Sequence, residues 1–385
     1  MPALDHNIDE LLRHEFPVEQ NLVYLNHAAV APLPRRCRDA IVAFADDCLN
    51  HGSRHYGRWQ EKELLLREQL RKLIGAATVD EIGLVKNTSE GLSMVAHGFP
   101  WRDGDRVVIT DQEFPSNRIV WESLSDRGVS VTEVGVGDTA VVPEDTLIDA
   151  LTPSVRLLAV SSVQYGSGLR LDLERLGRAC RERAVAFCVD GIQSLGAVEH
   201  DVQKMNVDFL VADAHKWLLG PEGIALFYCS RSWLERLRLY EYGWHMVEHP
   251  GDFECRDWAP ADSARRFECG SPNTLGVYAL SASLSLLQEI GMNEVERRIL
   301  ERTAWLRERI EGEPDLALLS PDGPGRRAGI TTLAHRRFPP ARLHETLQAA
   351  GVACAIRGGG LRLSPHCYND RKGLESVFSI IKTIR

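Results

Sequence analysis

Along the middle of the chain, apolar residues come in short unbroken runs and do not alternate with polar ones. Ile82–Val85, Arg106–Thr110, Leu157–Ser161, Ala184–Val189, Phe209–Ala212 and Ile224–Tyr228 are rich in Val, Ile, Leu and Phe and bounded by Gly, Asp, Ser or Asn. Runs of this kind mark strands covered on both faces. Helical patterns at Glu90–Gly98, Asn117–Asp126 and Leu173–Arg183 fall between several of them, and another at Leu64–Ile74 precedes the block. The alternation predicts an α/β fold, a mainly parallel sheet with helices on both faces. Near Asn273 the texture changes. Long helical patterns at Leu275–Leu287 and Glu294–Glu311 lead to a Pro/Gly/Arg-rich link at Ser320–Arg327, then to strand patterns at Gly329–Ala334 and Gly360–Ser364. The expected organisation is a large domain over 26–272, a smaller α+β C-terminal domain over 273–385, and an N-terminal segment over 1–25 packing on the small domain.

An open parallel sheet binds its ligands outside the carboxyl ends of its strands, so the residues after each run carry the most information. Ala184–Val189 is followed by Asp190. Phe209–Ala212 is followed by Asp213-Ala214-His215-Lys216-Trp217, and Ile82–Val85 by Lys86-Asn87-Thr88-Ser89-Glu90-Gly91 at the start of a helix. A helix N-terminus with hydroxyls binds phosphate through its free N–H groups and dipole. A buried carboxylate keeps a pyridine nitrogen protonated, and a lysine condenses with an aldehyde. Phosphate, pyridinium and aldehyde are the three handles of pyridoxal phosphate. Taken singly, each signal is commonplace: an acid after a strand is usually a turn residue, and Thr-Ser-Glu-Gly usually a plain helix start.

Composition sharpens the lysine. Of 45 basic residues only seven are lysines, and only a lysine can form the imine. Lys62, Lys72, Lys372 and Lys382 sit on charged helical faces, Lys204 in a polar link, and Lys86 would crowd the phosphate. Lys216 is flanked by Ala214, Trp217, Leu218 and Leu219, a setting that lowers an amine's pKa and frees it to act. A net charge of −9 without basic runs argues against nucleic acid. No stretch reaches the ~18 apolar residues of a membrane helix, and the acidic N-terminus does not read as a signal peptide. Nine scattered cysteines without a C-x-x-C pair read as reduced thiols in a cytoplasmic protein. His245 and His249 lack a third ligand at helical spacing, so no metal is expected.

The segments YLNHAAVAP, KNTSEG, EFPSNRIVW, FCVDGIQSLGA, DAHKWLLGPEGIALFY, RRFECGSPN and LRLSPHCYN occur in this order. Together they resemble the class V aminotransferase family of pyridoxal-phosphate enzymes, which includes cysteine desulfurases, kynureninases and isopenicillin N epimerase-like proteins. The resemblance implies the PLP-dependent transferase fold (fold type I), pyridoxal 5'-phosphate as cofactor, a small amino acid as substrate, and a homodimer. Carried over by position, it makes Lys216 the Schiff-base lysine, His215 its neighbour, and Asp190 the partner of the pyridine nitrogen. Gln193 would contact the phenolic oxygen, Thr88 and Ser89 the phosphate, and Phe114 the cofactor ring. Ser271 would reach the partner subunit's phosphate, and Arg362 would hold the substrate's α-carboxylate.

Two departures bear on the reaction. Only Gly358-Gly359-Gly360-Leu361 separates Arg357 from Arg362, where desulfurases insert a loop with a nucleophilic cysteine, so desulfuration by persulfide transfer is disfavoured. Cys354 and Cys367 flank the segment and are expected to be small buried residues. Asp213 stands where the family often has a phosphate-binding Ser, and is expected to turn toward an arginine or backbone N–H groups. His27, Tyr165, Trp217 and Tyr242–His249 are candidates for the substrate cleft or for core and interface. The expected activity is an aminotransferase-type reaction. β-Elimination, epimerisation and a non-catalytic binding protein on the same fold stay open.

Overall fold

The computed structural model describes residues 2–137 and 142–384. A seven-stranded sheet runs in the spatial order Ile82–Val85, Ala225–Cys229, Phe209–Asp213, Ala186–Asp190, Val155–Ser161, Arg106–Thr110, Ser130–Val134. Ala225–Cys229 is antiparallel to both its neighbours and the remaining pairs are parallel. Val85, Thr110, Ser161, Asp190 and Asp213 therefore end at one edge of the sheet. Along Phe209–Asp213, Phe209 and Val211 join one core cluster with Leu92, Trp121 and Phe227. Leu210 and Ala212 join the opposite one with Leu66, Phe187 and Leu284. Strand alternation thus feeds two buried faces, which is why these segments read as continuous apolar runs.

The helix Thr274–Ile290 packs against Arg35–His51 and Tyr56–Ile74, with the Ser281 hydroxyl donating to Gln69 Oε1 at 2.7 Å. After Gly291, whose φ of +87° suits glycine, the chain turns by 83° into Met292–Glu311. A second, antiparallel sheet follows in the order Ala355–Arg357, Gly360–Leu363, Thr331–His335, Leu316–Leu318. Its core includes Leu306, Ile310, Leu333, Leu363 and Phe378. The N-terminal residues Val23–Tyr24 pair in parallel with Val352–Ala353, and Phe16 stacks on Tyr368 at 3.9 Å.

Two elements escape the hydrophobic pattern. Ser130–Val134 is an edge strand with little burial, so its sequence is half polar. Arg35–His51 fully buries only Cys37 and carries charges over the rest of its surface. All nine cysteines are free, and among the described residues no single helix is long and apolar enough to cross a membrane.

Candidate active site

The common edge of the sheet gathers the chemistry. Asn87 accepts a hydrogen bond from Glu90 N at 2.9 Å and so starts the helix Thr88–Gly98. Thr88 is buried and its hydroxyl has no partner within the protein. Ser89 is exposed and donates to the Ser116 hydroxyl at 2.8 Å, which brings the start of the helix Ser116–Glu122 alongside. Lys86 is drawn off to Glu90 at 2.8 Å. Asp190, 2% exposed, accepts from Ile192 N at 3.0 Å. Lys216, 8% exposed, lies with Nζ 5.6 Å from the Phe114 ring centre, and Phe114 meets Tyr165 edge-on at 5.2 Å. Arg362, 2% exposed, donates through Nη1 to Tyr165 O at 2.9 Å, while its buried Nε has no partner.

Burial sets the charges. It pushes the Asp190 carboxyl up, with the charges of Glu113 and Asp213 adding to the effect and Lys216 opposing it. It pulls Lys216 down; Asp190 opposes this and Arg362 adds to it. Arg362 is pulled down by burial and then by Arg357. A buried amine, a buried carboxyl and a guanidinium with an unused donor make a site suited to an anionic ligand.

Several expected residues take other partners. The Gln193 side chain donates to Ala28 O at 3.0 Å and accepts from Trp217 Nε1 at 3.0 Å. Asp213 does not turn to an arginine or a backbone amide: its carboxylate lies 3.1 Å from His215 Nδ1. The strand ends at Asp213 and the chain turns at residues 214 and 215, which brings the His215 ring back beside the carboxylate, although neither Asp213 Oδ1 nor His215 Nδ1 makes a hydrogen bond. Ser271 is exposed and lines a cleft with Lys86 and Glu90. His27 is wholly buried between Ser364 O and the Tyr368 hydroxyl, and burial pulls it down to about 4. Trp217 is fully buried, and Gly329 packs so closely on its ring that a Cβ there would overlap it. Burial pushes the Cys354 and Cys367 thiols up to about 12.

Glu113 was missed. It follows the strand Arg106–Thr110 as Asp190 ends its own strand, so reading that strand end as well would have found it. The Thr110 hydroxyl donates to it at 2.8 Å, Asn117 at 2.7 Å, Gln164 at 3.0 Å, and Ser161 through both N–H (2.9 Å) and hydroxyl (2.5 Å). These hydrogen bonds hold the Glu113 carboxylate in place at the strand-end edge that also carries Asp190.

A sequence profile described as aminotransferase class-V matches residues 23–377. The chain belongs to that family. A probable cysteine desulfurase of Pyrococcus abyssi is 26% identical over 98% of both chains. The uncharacterized aminotransferase YcbU of Bacillus subtilis is 30% identical over 98% of this chain and 99% of its own. The solved complex between the cystine C–S lyase C-DES and its product cysteine persulfide has the same fold. It has a TM-score of 0.87 at 23% identity, over 95% of this chain and 98% of its own. The PLP-dependent fold and the family's cofactor, pyridoxal phosphate, are therefore those expected from the motifs.

The expectation against cysteine desulfuration is corrected by the same comparison, since relatives over nearly the whole chain are named cysteine desulfurases. Physically, the length of one hairpin turn does not decide this chemistry.

Proposed function

We propose that this chain is a pyridoxal-phosphate enzyme that cleaves the Cβ–S bond of a small sulfur amino acid. One observation carries the Cα chemistry: the buried Arg362 guanidinium, with Nε unpartnered, stands close enough to the buried Lys216 amine to lower its proton affinity. A carboxylate-binding group beside a proton-accepting group is what deprotonation of an amino acid requires. Support for sulfur as the leaving atom comes from the relatives named cysteine desulfurases.

The residues present fit the cofactor. The orphaned Thr88 hydroxyl, the Ser89 hydroxyl and the free N–H groups of the helix start would hold its phosphate. Asp190 would hold a proton at its ring nitrogen, and Phe114 would cover the ring. When bound, the cofactor supplies an electron-poor ring that makes the Cα proton acidic. Lys216 Nζ takes that proton and later returns it; its buried surroundings lower its affinity for a proton below that of an ordinary lysine. Arg362 fixes the α-carboxylate through its open donor edge, and Phe114 with Tyr165 keeps water from the Cα. In the same reading the chain works as a homodimer in which Ser271, exposed beside the helix start, serves the neighbouring copy's phosphate.

The holoenzyme is expected to give pyruvate and ammonia with hydrogen sulfide from cysteine or with cysteine persulfide from cystine, or alanine from cysteine where an added thiol accepts the sulfur. Lys216→Ala should lower turnover by ~10²–10⁴ and remove the visible absorbance of the bound cofactor. A product made only when a second keto acid is supplied, with no sulfur released, overturns the reading in favour of transamination, the activity named for YcbU.

A further inference from the structure

The hairpin formed by Ala355–Arg357 and Gly360–Leu363 carries a second guanidinium that the reading above leaves unused. Ala355 stands opposite Arg362 in this antiparallel pair, and Arg357 opposite Gly360. Residues 355 and 357 share a face, and directly opposed residues share a face. Arg357 and Arg362 are therefore diagonal neighbours on the same side of the sheet, about 7–8 Å apart at the backbone. That side meets the segment holding Tyr165, to which Arg362 donates.

The hairpin tip is held in place. Gly358 and Gly359 have φ of +58° and +76°, and a Cβ at Gly358 would overlap the Gly166 carbonyl, next to Tyr165. Arg357 precedes this contact directly, so its Cα is fixed relative to the site while its exposed side chain stays free to reorient. Its one hydrogen bond to the protein is local, Nη1 to Ile356 O at 2.7 Å. Among the described residues neither Arg357 nor Arg362 has a carboxylate within 4 Å. The charge of Arg357 is nonetheless felt at both Lys216 and Arg362. The charges of Arg357 and Arg362 both act on Lys216, and Asp190 and Asp213, at the ends of the large sheet's strands, act on it with the opposite sign. A substrate with one carboxylate satisfies Arg362 and leaves Arg357 unpaired.

We propose that Arg357 is a specificity residue that pairs with a second acidic group at the far end of the substrate side chain. The preferred substrates are then sulfur amino acids whose sulfur substituent ends in a carboxylate or sulfonate, such as cystine or S-sulfocysteine, over neutral ones such as S-methylcysteine. This rests on the C–S cleavage reading for the reaction, but not for the binding. The first test compares kcat/KM of the holoenzyme for S-sulfocysteine and S-methylcysteine. Arg357→Gln should lower the ratio of the two at least tenfold, and Arg357→Lys should restore part of it. An unchanged ratio overturns the proposal.

The second test needs no turnover. Glutarate and butyrate are titrated into the holoenzyme and read by the change in cofactor absorbance. Glutarate should bind at least fivefold tighter, and Arg357→Gln should erase that advantage. Equal affinity of the wild-type protein for the two acids overturns the proposal even if sulfur is released. A glutarate preference without any C–S cleavage would leave the second cationic subsite standing and overturn only the assigned reaction.

Discussion

Lys216 shows how far one residue's surroundings decide its chemistry. An ordinary lysine amine is almost wholly protonated at neutral pH, and the protonated form does not add to an aldehyde. Burial brings Lys216 down to about 8, with Asp190 pulling the other way and Arg362 reinforcing the drop. The fraction of neutral amine should therefore rise as pH climbs through about 8, well below the ordinary lysine range. Capture of pyridoxal phosphate by the apoprotein, followed as visible absorbance, should have its midpoint there. Asp190→Asn removes the opposing negative charge and should move the midpoint to lower pH. Arg362→Met removes a like charge and should move it up. A wild-type midpoint at or above 10 would show that the amine is not desolvated. At this scale the sequence was informative where a residue follows a strand directly, as Asp190 and Lys216 do. It said little about Gln193, whose amide is taken up by Trp217 and Ala28, partners 24 and 165 residues away.

At the level of elements, continuous apolar runs made the central strands legible, because burial on two faces leaves no polar position to confuse the period. The edge strand Ser130–Val134 and the solvent-facing helix Arg35–His51 lacked that signal. The hairpin Ala355–Leu363 was visible only as an absence, a missing loop, and its three glycines were read for length and not for conformation. Their geometry separates two of them. Gly358 combines φ of +58° with a close approach to Gly166, whereas Gly359 has φ of +76° and open space around it. Alanine at either costs about 1–2 kcal/mol for the left-handed backbone. At Gly358 it must also push Gly166 away, adding about 1–3 kcal/mol. Gly358→Ala should therefore lower the urea midpoint more than Gly359→Ala. It should also raise KM, because the displaced segment carries the carbonyl that orients Arg362. Equal KM values for the two variants would show that the hairpin tip does not position the arginine.

Across the whole molecule, the seven-stranded sheet and the sheet that carries Arg362 meet along residues 164–172. The Thr332 hydroxyl donates to Gly166 O at 2.7 Å, and Arg170 N to Arg326 O at 3.1 Å. Beneath them Arg326 grips Glu144 with two hydrogen bonds of 2.6 Å. Glu144 is fully buried and also accepts from Asp172 N at 2.7 Å. Nothing in the sequence paired Glu144 with Arg326, since 182 residues separate them and each reads as a surface charge. Burial works to raise the Glu144 carboxyl, but the Arg326 hydrogen bonds and charge hold it below its ordinary range. A carboxyl lowered in the folded state contributes stability above its unfolded pKa and loses it as pH falls through the folded value. Arg326→Ala strands that charge and should cost about 3–5 kcal/mol at pH 7. The cost should shrink toward pH 4, where the stranded carboxyl can take up a proton. Arg327→Ala is the internal control. Its pair with Asp322 is exposed on both sides and should be worth less than about 1 kcal/mol at either pH. Urea unfolding of the three proteins at pH 7 and pH 4 measures the difference. A cost for Arg326→Ala no larger than that for Arg327→Ala would show that the pair does not hold the two sheets together.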